Sequence, residues 1–423
     1  MDKHTLNALI NLPGYTVEEI LGKTETEIHV LMRPLKTLSM TCSFCGESKD
    51  HGIHSNTIVI AEDKNICDRR LFLHIRKRKY RCPKDNNKIH VESTPWLKMF
   101  SRFTDRFIKQ VSRLTAITTN QEAGWYLGLD DETVYRMDKK YLKEQAEKKL
   151  IPIPSAINIS VDETSYRKYH RYLTNVIDTD KKLLIWNEKG RKAEVLDKYY
   201  QGIGKKNCEK IESVAMDGAR TYISSTSKYA VNALIVLDRF HIAQKLNNAV
   251  DAVRKQELRQ ARKQDQQEII KLTTSKQRFI LMKNKNNLTK KQSNTLEILC
   301  KLNQPIYKAM LLKESFIQIY SMQSNINSTN SNDLEEIKNY LLNWIEQAKN
   351  SNLEPFIAIA ESFLSKIQYI LNWFKRKISS AISEGFNNKI KRLKRMAYGY
   401  RDIEYFKLKI HQHCGLLNPR IAT

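Results

Sequence analysis

The sequence predicts a multidomain chain of the α/β + α class, and three observations support this prediction. The chain has 423 residues, too many for a single hydrophobic core when one domain takes about 100–200 residues. After residue 151, short apolar runs alternate with helix-compatible sequence, which is typical of a mixed α/β sheet. From about residue 243 to 377 the chain is rich in Lys and Gln and has a helical pattern, so this part is predicted to be α-helical.

Residues 1–100 are predicted to form a small β module that resembles a zinc ribbon. Two alternating runs, TEIHVLM from Thr26 and IRKRKYRC ending at Cys82, predict short strands. A C-x-x-C pair stands between them at Cys42 and Cys45. Paired cysteines with this spacing are ligands of structural Zn2+, so Cys42, Cys45 and Cys82 are candidate zinc ligands.

The second half of this metal pattern is incomplete. Asp85, not a cysteine, stands three residues after Cys82. Asp85, His90 and Cys67 are all candidates for a fourth ligand, because carboxylate, imidazole and thiolate groups bind zinc. The alternative is a ribbon without metal, held together by its small core.

Residues 101–150 are predicted to be a helix-turn-helix domain. The helical pattern from Asp105 to Lys149 is broken at GLDD, where Asp130 or Asp131 can cap the next helix. The segment DETVYRMDKKYLKE would be the recognition helix, and Arg136 in it is a predicted DNA contact. Generic helix pairs have similar sequences, so the pattern alone leaves both readings open.

The stiff segment IPIPSA, residues 151–156, separates this helical part from a sheet predicted over residues 151–242. The alternation of Ile157, Ile159 and Val161 predicts a strand, and RYLTNVIDTDKKLLIWNE predicts a hairpin that turns between Asp178 and Lys182.

Acidic residues follow three apolar runs of this region. Asp162 and Glu163 come after the first run, Asp217 after IESVAM and Asp238 after NALIVL. Strand ends are where α/β sheets place their sites, and converging carboxylates hold divalent cations in enzymes that cut or join DNA strands. The alternative is that these acids are simple turn formers.

The charge of the chain indicates a polyanionic partner. Lys and Arg number 72 against 46 Asp and Glu, which gives a formal net charge of +26. Such an excess favours phosphate binding through counterion release, with an anionic membrane surface as the competing reading. No apolar run is long enough to span a membrane, the N-terminus lacks the pattern of a signal peptide, and the cysteines are odd in number. We therefore expect an intracellular, soluble protein.

Four blocks of the sequence resemble the signature blocks of the ISL-three family of bacterial insertion-sequence transposases. They are VDETSYRKYHRYLTNVID, MDGARTY, VLDRFHIAQKLN and SEGFNNKIKRLKRMAYGYRDIEYFKLKI. Their order matches, the C-x-x-C module and the predicted helix-turn-helix fall where that family has them, and the resemblance covers nearly the whole chain.

The resemblance implies a DDE transposase with a ribonuclease-H-like catalytic core that is interrupted by a helical insertion. By motif, Asp162 and Asp217 would be the two catalytic aspartates and Glu384 the catalytic glutamate, together holding Mg2+ (or Mn2+). Asp238 and His241 match the D-x-x-H of the third block and would have a supporting role. Residues 151–242 and 378–423 would form the core and 243–377 the insertion.

The implied partners are double-stranded DNA, both the terminal inverted repeats and the target, and further copies of the chain. The five basic residues that follow Glu384 would contact the DNA backbone: Lys389, Lys391, Arg392, Lys394 and Arg395. A cytoplasmic, nucleoid-associated location in a bacterium is expected. Asp85 departs from the family at the fourth zinc position. Two other functions stay open, a DNA-binding regulator without catalysis and a ribonuclease-H-like nuclease or resolvase.

Overall fold

The computed structural model describes residues 2–49, 52–167, 171–274, 278–283, 287–322, 331–376 and 381–420. The chain divides into two compact units. The first unit comprises Met1–Lys149 and Leu393–Thr423, and the second comprises Leu150–Arg392. None of the helices in these ranges is both long and apolar enough to cross a membrane.

The first unit begins with a helix and a five-stranded sheet. The helix α1 is Lys3–Ile10, and the strands are β1 (Tyr15–Lys23), β2 (Glu27–Pro34), β5 (Ile53–Ile66), β6 (Arg69–Cys82) and β7 (Lys88–Val91). The order is β1-β2-β6-β5, with β7 paired to β6. All neighbours are antiparallel except β2 and β6. The β5–β6 hairpin has 14 residues in each strand, so it is longer than the short strands that the sequence predicts.

A two-stranded sheet carries the C-x-x-C pair. Its strands are β3 (Met40–Thr41) and β4 (Ser48–Lys49), and they pair antiparallel. The two cysteines lie in the turn that joins these strands, while Cys82 ends β6. The small core of this region consists of Met40, Tyr80 and the cysteines.

Three helices follow at the predicted place: α2 (Asp105–Thr115), α3 (Asn120–Leu127) and α4 (Asp131–Lys149). Gly128 ends α3 at φ +73°, a backbone region in which glycine carries no steric cost. Of the two predicted caps, Asp130 is the one used, because its Oδ1 accepts from the Thr133 backbone N–H at 2.8 Å. The C-terminal helix α17 (Ile403–Cys414) packs against α4 in the same unit.

The second unit contains a mixed five-stranded sheet. Its strands are β8 (Asn158–Arg167), β9 (Arg171–Asp178), β10 (Leu183–Lys189), β11 (Ser213–Met216) and β12 (Leu234–Leu237). The order is β10-β9-β8-β11-β12, in which β8, β11 and β12 are parallel and the β8-β9-β10 meander is antiparallel. The β9–β10 turn confirms the predicted hairpin. The helices between the strands are α5 (Ala193–Ile203), α6 (Lys205–Cys208) and α7 (Arg220–Tyr229).

The rest of this unit is helical, which confirms the predicted class for the described residues. The helices are α8 (Arg239–Lys263), α9 (Gln267–Leu272), α10 (Arg278–Met282), α11 (Lys290–Leu302), α12 (Gln304–Met322), α13 (Ser331–Lys349), α14 (Glu354–Leu364) and α15 (Ile367–Lys375). The buried side chains of these helices form one apolar cluster that includes Phe316, Trp344 and Phe363. The last helix of the unit, α16 (Ala381–Met396), crosses the boundary at Arg392.

The position of Asp162 and Glu163 differs from the prediction. Both lie inside β8, which continues to Arg167, and not beyond its end. The reason is that the two neighbouring strands pair with β8 over different lengths. Its parallel pairing with β11 stops at Ser160, while its antiparallel pairing with β9 continues to Arg167.

Candidate active site

Asp162 is the most enclosed acid of the predicted catalytic set. Asp162 lies on the central strand β8, and 7% of the residue is exposed to solvent. One carboxylate oxygen, Oδ1, accepts from the Glu163 backbone N–H at 2.7 Å, and the other, Oδ2, accepts from Asn387 Nδ2 at 2.6 Å. Since Asn387 lies on α16, this bond ties the last helix of the unit to the sheet.

A second hydrogen bond fixes the orientation of the Asn387 amide. Its Oδ1 accepts from the Thr164 hydroxyl at 2.5 Å, and that hydroxyl in turn accepts from Asn175 Nδ2 at 3.0 Å. With its oxygen held by Thr164, the amide presents its N–H2 group to Asp162. Asn387, Thr164 and Asn175 were not among the site residues predicted from the sequence. Asn387 was detectable, because it stands one helical turn after Glu384 in the SEGFNN block.

Asp217 and Asp238 follow the two short parallel strands beside β8. Asp217 Oδ1 accepts from the Ala219 backbone N–H at 2.9 Å, and Asp238 Oδ1 caps α8 by accepting from the Phe240 N–H at 2.6 Å. Because β11 and β12 are parallel neighbours, both acids lie at one edge of the sheet. Gly218 at φ +83° allows the chain to turn there, and a Cβ at this position would meet Leu237 at 2.6 Å.

His241 stands between two of these carboxylates. Its Nε2 is 3.9 Å from Asp162 Oδ1 and 3.7 Å from Asp238 Oδ2. The side chain starts from the first turn of α8, three residues after the capping aspartate. Of the predicted supporting pair, His241 therefore lies near Asp162 and also contacts its partner Asp238.

The acids of this edge affect one another electrostatically. Burial raises the pKa of Asp162, and the negative charge of Asp217 raises it further, against the opposing effects of His241 and the hydrogen bonds. Burial also raises the pKa of Glu163, and Asp217 again adds to the effect. Carboxylates that lie close together in a low-dielectric environment repel one another when ionised, and a nearby positive charge stabilises their ionised forms.

Lys366 lies within electrostatic range of Asp217 and of two other cations, Lys245 and Arg220. Burial lowers the pKa of Lys366, and the charges of Lys245 and Arg220 lower it further while Asp217 opposes them. Arg220 is the first residue of α7, and Lys245 lies one helical turn after His241 on α8. Among the described residues, none of these three cations has an ion pair within 4.0 Å. None of the three was among the site residues predicted from the sequence.

Glu384 is on α16 but is not in contact with the two aspartates. The residue is exposed, and no hydrogen bond or ion pair joins it to Asp162 or Asp217 in the described chain. It stands three residues before Asn387, which does contact Asp162. The three carboxylates are thus not assembled within ligand distance of one another, since the described residues contain one such group and it is made of cysteines.

The cysteine group is the second candidate site. Cys42, Cys45 and Cys82 place their sulfurs within 4.8 Å of one another. The Cys42–Cys82 sulfur distance is 3.7 Å and the Cys45–Cys82 distance is 3.8 Å. Although burial opposes it, hydrogen bonds from the Cys45 backbone N–H and the Tyr80 hydroxyl lower the pKa of Cys42 to about 6.

The candidates for a fourth zinc ligand lie outside this group. Asp85 Oδ2 is 2.8 Å from His90 Nε2, and this hydrogen bond lowers the pKa of Asp85. Cys67 is exposed in the turn of the β5–β6 hairpin at φ +48°. Three of the four predicted ligands therefore meet, and Asp85 does not join them in this structure.

The predicted DNA-contacting residues lie on two helices. Arg136 is exposed on α4 and pairs with Glu132 at 3.2 Å. On α16, Lys394 is half-buried and the other four basic residues are exposed: Lys389, Lys391, Arg392 and Arg395. The Lys389 ammonium lies 5.5 Å from the Phe386 ring centroid.

Comparison with known proteins shows similarity to insertion-sequence transposases. A profile of the ISL3 (ISL-three) family, described as transposase, matches residues 159–410. The chain is 28% identical over 419 residues, 97% of its own length and 98% of the relative's, to the transposase for insertion sequence element IS1001 of Bordetella parapertussis. It is 24% identical over 351 residues, 78% and 76% of the two lengths, to the transposase for insertion sequence element IS1557 of Mycobacterium tuberculosis.

Proposed function

The chain belongs to the ISL3 family of transposases, and we propose that its catalytic centre is a DDE site formed by Asp162, Asp217 and Glu384. The protein is a DNA transposase of an insertion sequence. One observation carries the assignment of the site. The Asn387–Asp162 hydrogen bond joins α16 to the central strand, so the helix that bears Glu384 adjoins Asp162, whose pKa the charge of Asp217 raises.

We propose that the sheet and α16 form a ribonuclease-H-like core and that residues 243–377 are an insertion in it. The mixed sheet supports this proposal, because an antiparallel three-stranded meander is extended by two parallel strands and acidic residues lie on or directly after the parallel ones. We further propose residues 1–100 as a zinc-ribbon-like module and 101–150 as a helix-turn-helix domain. Residues 378–423 would complete the core and add a basic C-terminal segment.

The acids of the proposed site fit a hard divalent cation. Asp162 and Asp217 offer carboxylate oxygens, which Mg2+ prefers, and their mutual repulsion in a buried pocket would be relieved by a cation. Bound there, Mg2+ (or Mn2+) would stabilise the charge that develops on the phosphoryl oxygens and make the attacking oxygen more acidic. Glu384 would complete the ligand set by turning its side chain inward from α16.

The residues of the chain have distinct tasks in the proposed reaction. A water oxygen attacks the phosphorus at an end of the element, the opposite P–O bond breaks, and the released oxygen takes a proton to become a 3′-hydroxyl. That hydroxyl attacks a phosphorus of the target in the same way. Arg220, Lys245 and Lys366 would bind the phosphate beside Asp217, since they have no ion-pair partner in the described chain. His241 would keep Asp162 in place.

We propose that Cys42, Cys45 and Cys82 hold a structural Zn2+. Tetrahedral zinc with Zn–S bonds of about 2.3 Å requires sulfurs about 3.8 Å apart, and the sulfur distances of 3.7 and 3.8 Å agree with this. Asp85 would be the fourth ligand if it exchanged its hydrogen bond with His90 for the metal.

The proposed substrates are the terminal inverted repeats and a target duplex, bound by an oligomer that pairs the two ends. The protein would accordingly be cytoplasmic and associated with the nucleoid. A regulator without catalysis would have no use for a buried aspartate whose pKa is raised by a second aspartate. A nuclease or resolvase would cut without joining, so the products of the reaction separate that alternative.

The test is end cleavage and strand transfer on labelled duplexes in Mg2+, followed by product analysis. We expect Asp217→Asn to abolish both steps and Asp180→Asn, at the exposed β9–β10 turn of the same sheet, to leave both unchanged. Cleavage by Asp217→Asn at the wild-type rate would remove this residue from the site. Nicked ends without joined strands from the wild-type protein would favour the nuclease.

A further inference from the structure

A basic trough on the first unit lies between α2, α4 and the loop of residues 98–103. Its wider part has a volume of about 420 Å3 and is lined by Lys98, Arg102, Arg136, Lys140 and Lys148, among others. A second part of about 140 Å3 adds Arg113 and Lys149. The two parts share Lys109, Tyr141 and Gln145, so they form one continuous depression.

Most of the charged residues that line the trough are positively charged. Eight Lys or Arg residues line its two parts, against two acids, Asp105 and Glu144. Glu144 is already paired with Lys98. In the described chain, no carboxylate lies within 4.0 Å of the charged groups of Arg102, Lys109 or Lys140, and all three residues are exposed. Converging cations without internal partners are arranged for an external anion.

The basic residues that α4 contributes to the trough are spaced so that they form one row along the helix. Arg136, Lys140 and Lys148 are separated by four and eight residues on α4 and therefore lie on the same side of the helix. Lys109 faces them from α2. A row of point charges along a groove fits the regularly spaced phosphates of a nucleic acid strand better than a single compact anion.

Phe100 is an independent sign of a binding surface. This residue lines the wide part of the trough, is 94% exposed, and has a φ of +59°. An aromatic residue at positive φ is a strained choice for a solvent-exposed loop, and such strain is found at ligand-binding positions. The ring provides an apolar surface beside the cations.

The start of α4 is unsuited to the usual docking of a recognition helix. In helix-turn-helix proteins, the N-terminal residues of that helix approach the base edges. Here the cap and the first turn carry Asp130, Asp131 and Glu132, which repel phosphates. The middle and the C-terminal half of α4 carry the cations that line the trough.

We propose that the trough binds the sugar–phosphate backbone of double-stranded DNA, so that DNA meets α4 along its side and not at its N-terminus. This inference rests on the proposed function, because it names the surface by which the transposase holds its substrate. The binding is independent of base sequence, since the lining offers ammonium and guanidinium groups to phosphates.

The experiment measures the binding of the full-length protein to a random-sequence duplex and to an element-end duplex between 50 and 300 mM salt. Each phosphate contact contributes about 0.9 to the slope of log Kobs against log salt. We therefore expect Lys109→Gln/Lys140→Gln to reduce the slope by about 1.8 on both duplexes. The matched control Lys206→Gln/Lys210→Gln removes the same charge at exposed sites of the second unit and should leave the slope unchanged.

Two further variants make the test specific. Phe100→Ala should weaken binding without changing the slope, because it removes an apolar contact. Asp217→Asn should lose cleavage and keep the wild-type slope, so a failed catalytic site and a failed trough are distinguishable. An unchanged slope for the double lysine variant, with a wild-type melting temperature, would overturn the inference. A slope reduction on one duplex alone would overturn its sequence independence.

Discussion

The hydrogen bond from Asn387 to Asp162 is the contact on which the proposed site depends most, and Asn387→Ala removes it. The bond joins Nδ2 to Oδ2 at 2.6 Å in a pocket where Asp162 is 7% exposed. In the wild-type protein the Thr164 hydroxyl donates to Asn387 Oδ1 at 2.5 Å. The substitution removes this acceptor as well. The backbone of α16 is expected to remain helical, because alanine has the highest helix propensity.

The size of the effect follows from the charge of the acceptor. A hydrogen bond to an ionised group contributes about 1.5–3 kcal/mol, and about 1.4 kcal/mol corresponds to a tenfold change in rate. We expect Asn387→Ala to slow end cleavage by about 10- to 100-fold. Since Asn387 also opposes the burial that raises the pKa of Asp162, the acidic limb of the pH–rate profile should move to higher pH.

The assay is single-turnover cleavage of a labelled end duplex at saturating Mg2+ from pH 5 to 9. Asn388→Ala is the matched control, because Asn388 is the next residue on the same helix and is exposed. The variant and the control should melt at similar temperatures, which separates a local effect from unfolding. Wild-type cleavage by Asn387→Ala, or equal losses in both variants, would refute the reasoning.

Three other predictions concern stability and metal. Because burial raises the pKa of Asp162 above 3.8, its ionisation opposes folding above that pH. Asp162→Asn without divalent ions should therefore raise the melting temperature at pH 7 by a few degrees and not at pH 3, and no difference at pH 7 would contradict this. Elemental analysis should find one zinc per chain. The zinc should be absent from Cys82→Ser, and a chelator should remove it more easily from Asp85→Ala than from the wild-type protein. Full retention in Cys82→Ser would exclude the site. Lys409→Met should lower the free energy of unfolding by about 3–5 kcal/mol, since Lys409 is 3% exposed and 3.2 Å from buried Asp138. A loss below about 1 kcal/mol in chemical denaturation would show that the pair is dispensable.

Features set by neighbouring residues were predictable from the sequence. The β9–β10 hairpin and the break between α3 and α4 occur where turn and capping residues predict them, because their hydrogen bonds span only a few positions. The proximity of Cys42 and Cys45 was also predictable from the C-x-x-C spacing, while their contact with Cys82, 40 positions from Cys42, confirms a prediction made from ligand chemistry. The helical class of the long region after Asp238 was visible in its periodicity.

Features set by distant pairing were not predictable. The sequence shows an apolar alternation that ends at Val161 but not the partner strand that extends β8 to Arg167, so Asp162 was expected beyond the strand. The Asn387–Asp162 bond joins residues 225 positions apart. Lys366 and the two cations that lower its pKa, Lys245 and Arg220, come from three separate helices or their ends. Nothing local in the chain relates such residues to one another.

The separation of Glu384 from the aspartates has an electrostatic explanation. Side chains three residues apart on a helix have Cβ atoms about 5–6 Å apart, so Glu384 is one turn from the residue that contacts Asp162. The fold therefore brings the helix close enough. In the proposed site, negative charge would oppose the entry of Glu384, because burial and the charge of Asp217 already raise the pKa values of Asp162 and Glu163. A further carboxylate becomes favourable only together with a divalent cation. In the proposed site, assembly would therefore be coupled to metal binding, and Glu384 would join the two aspartates when the cation binds.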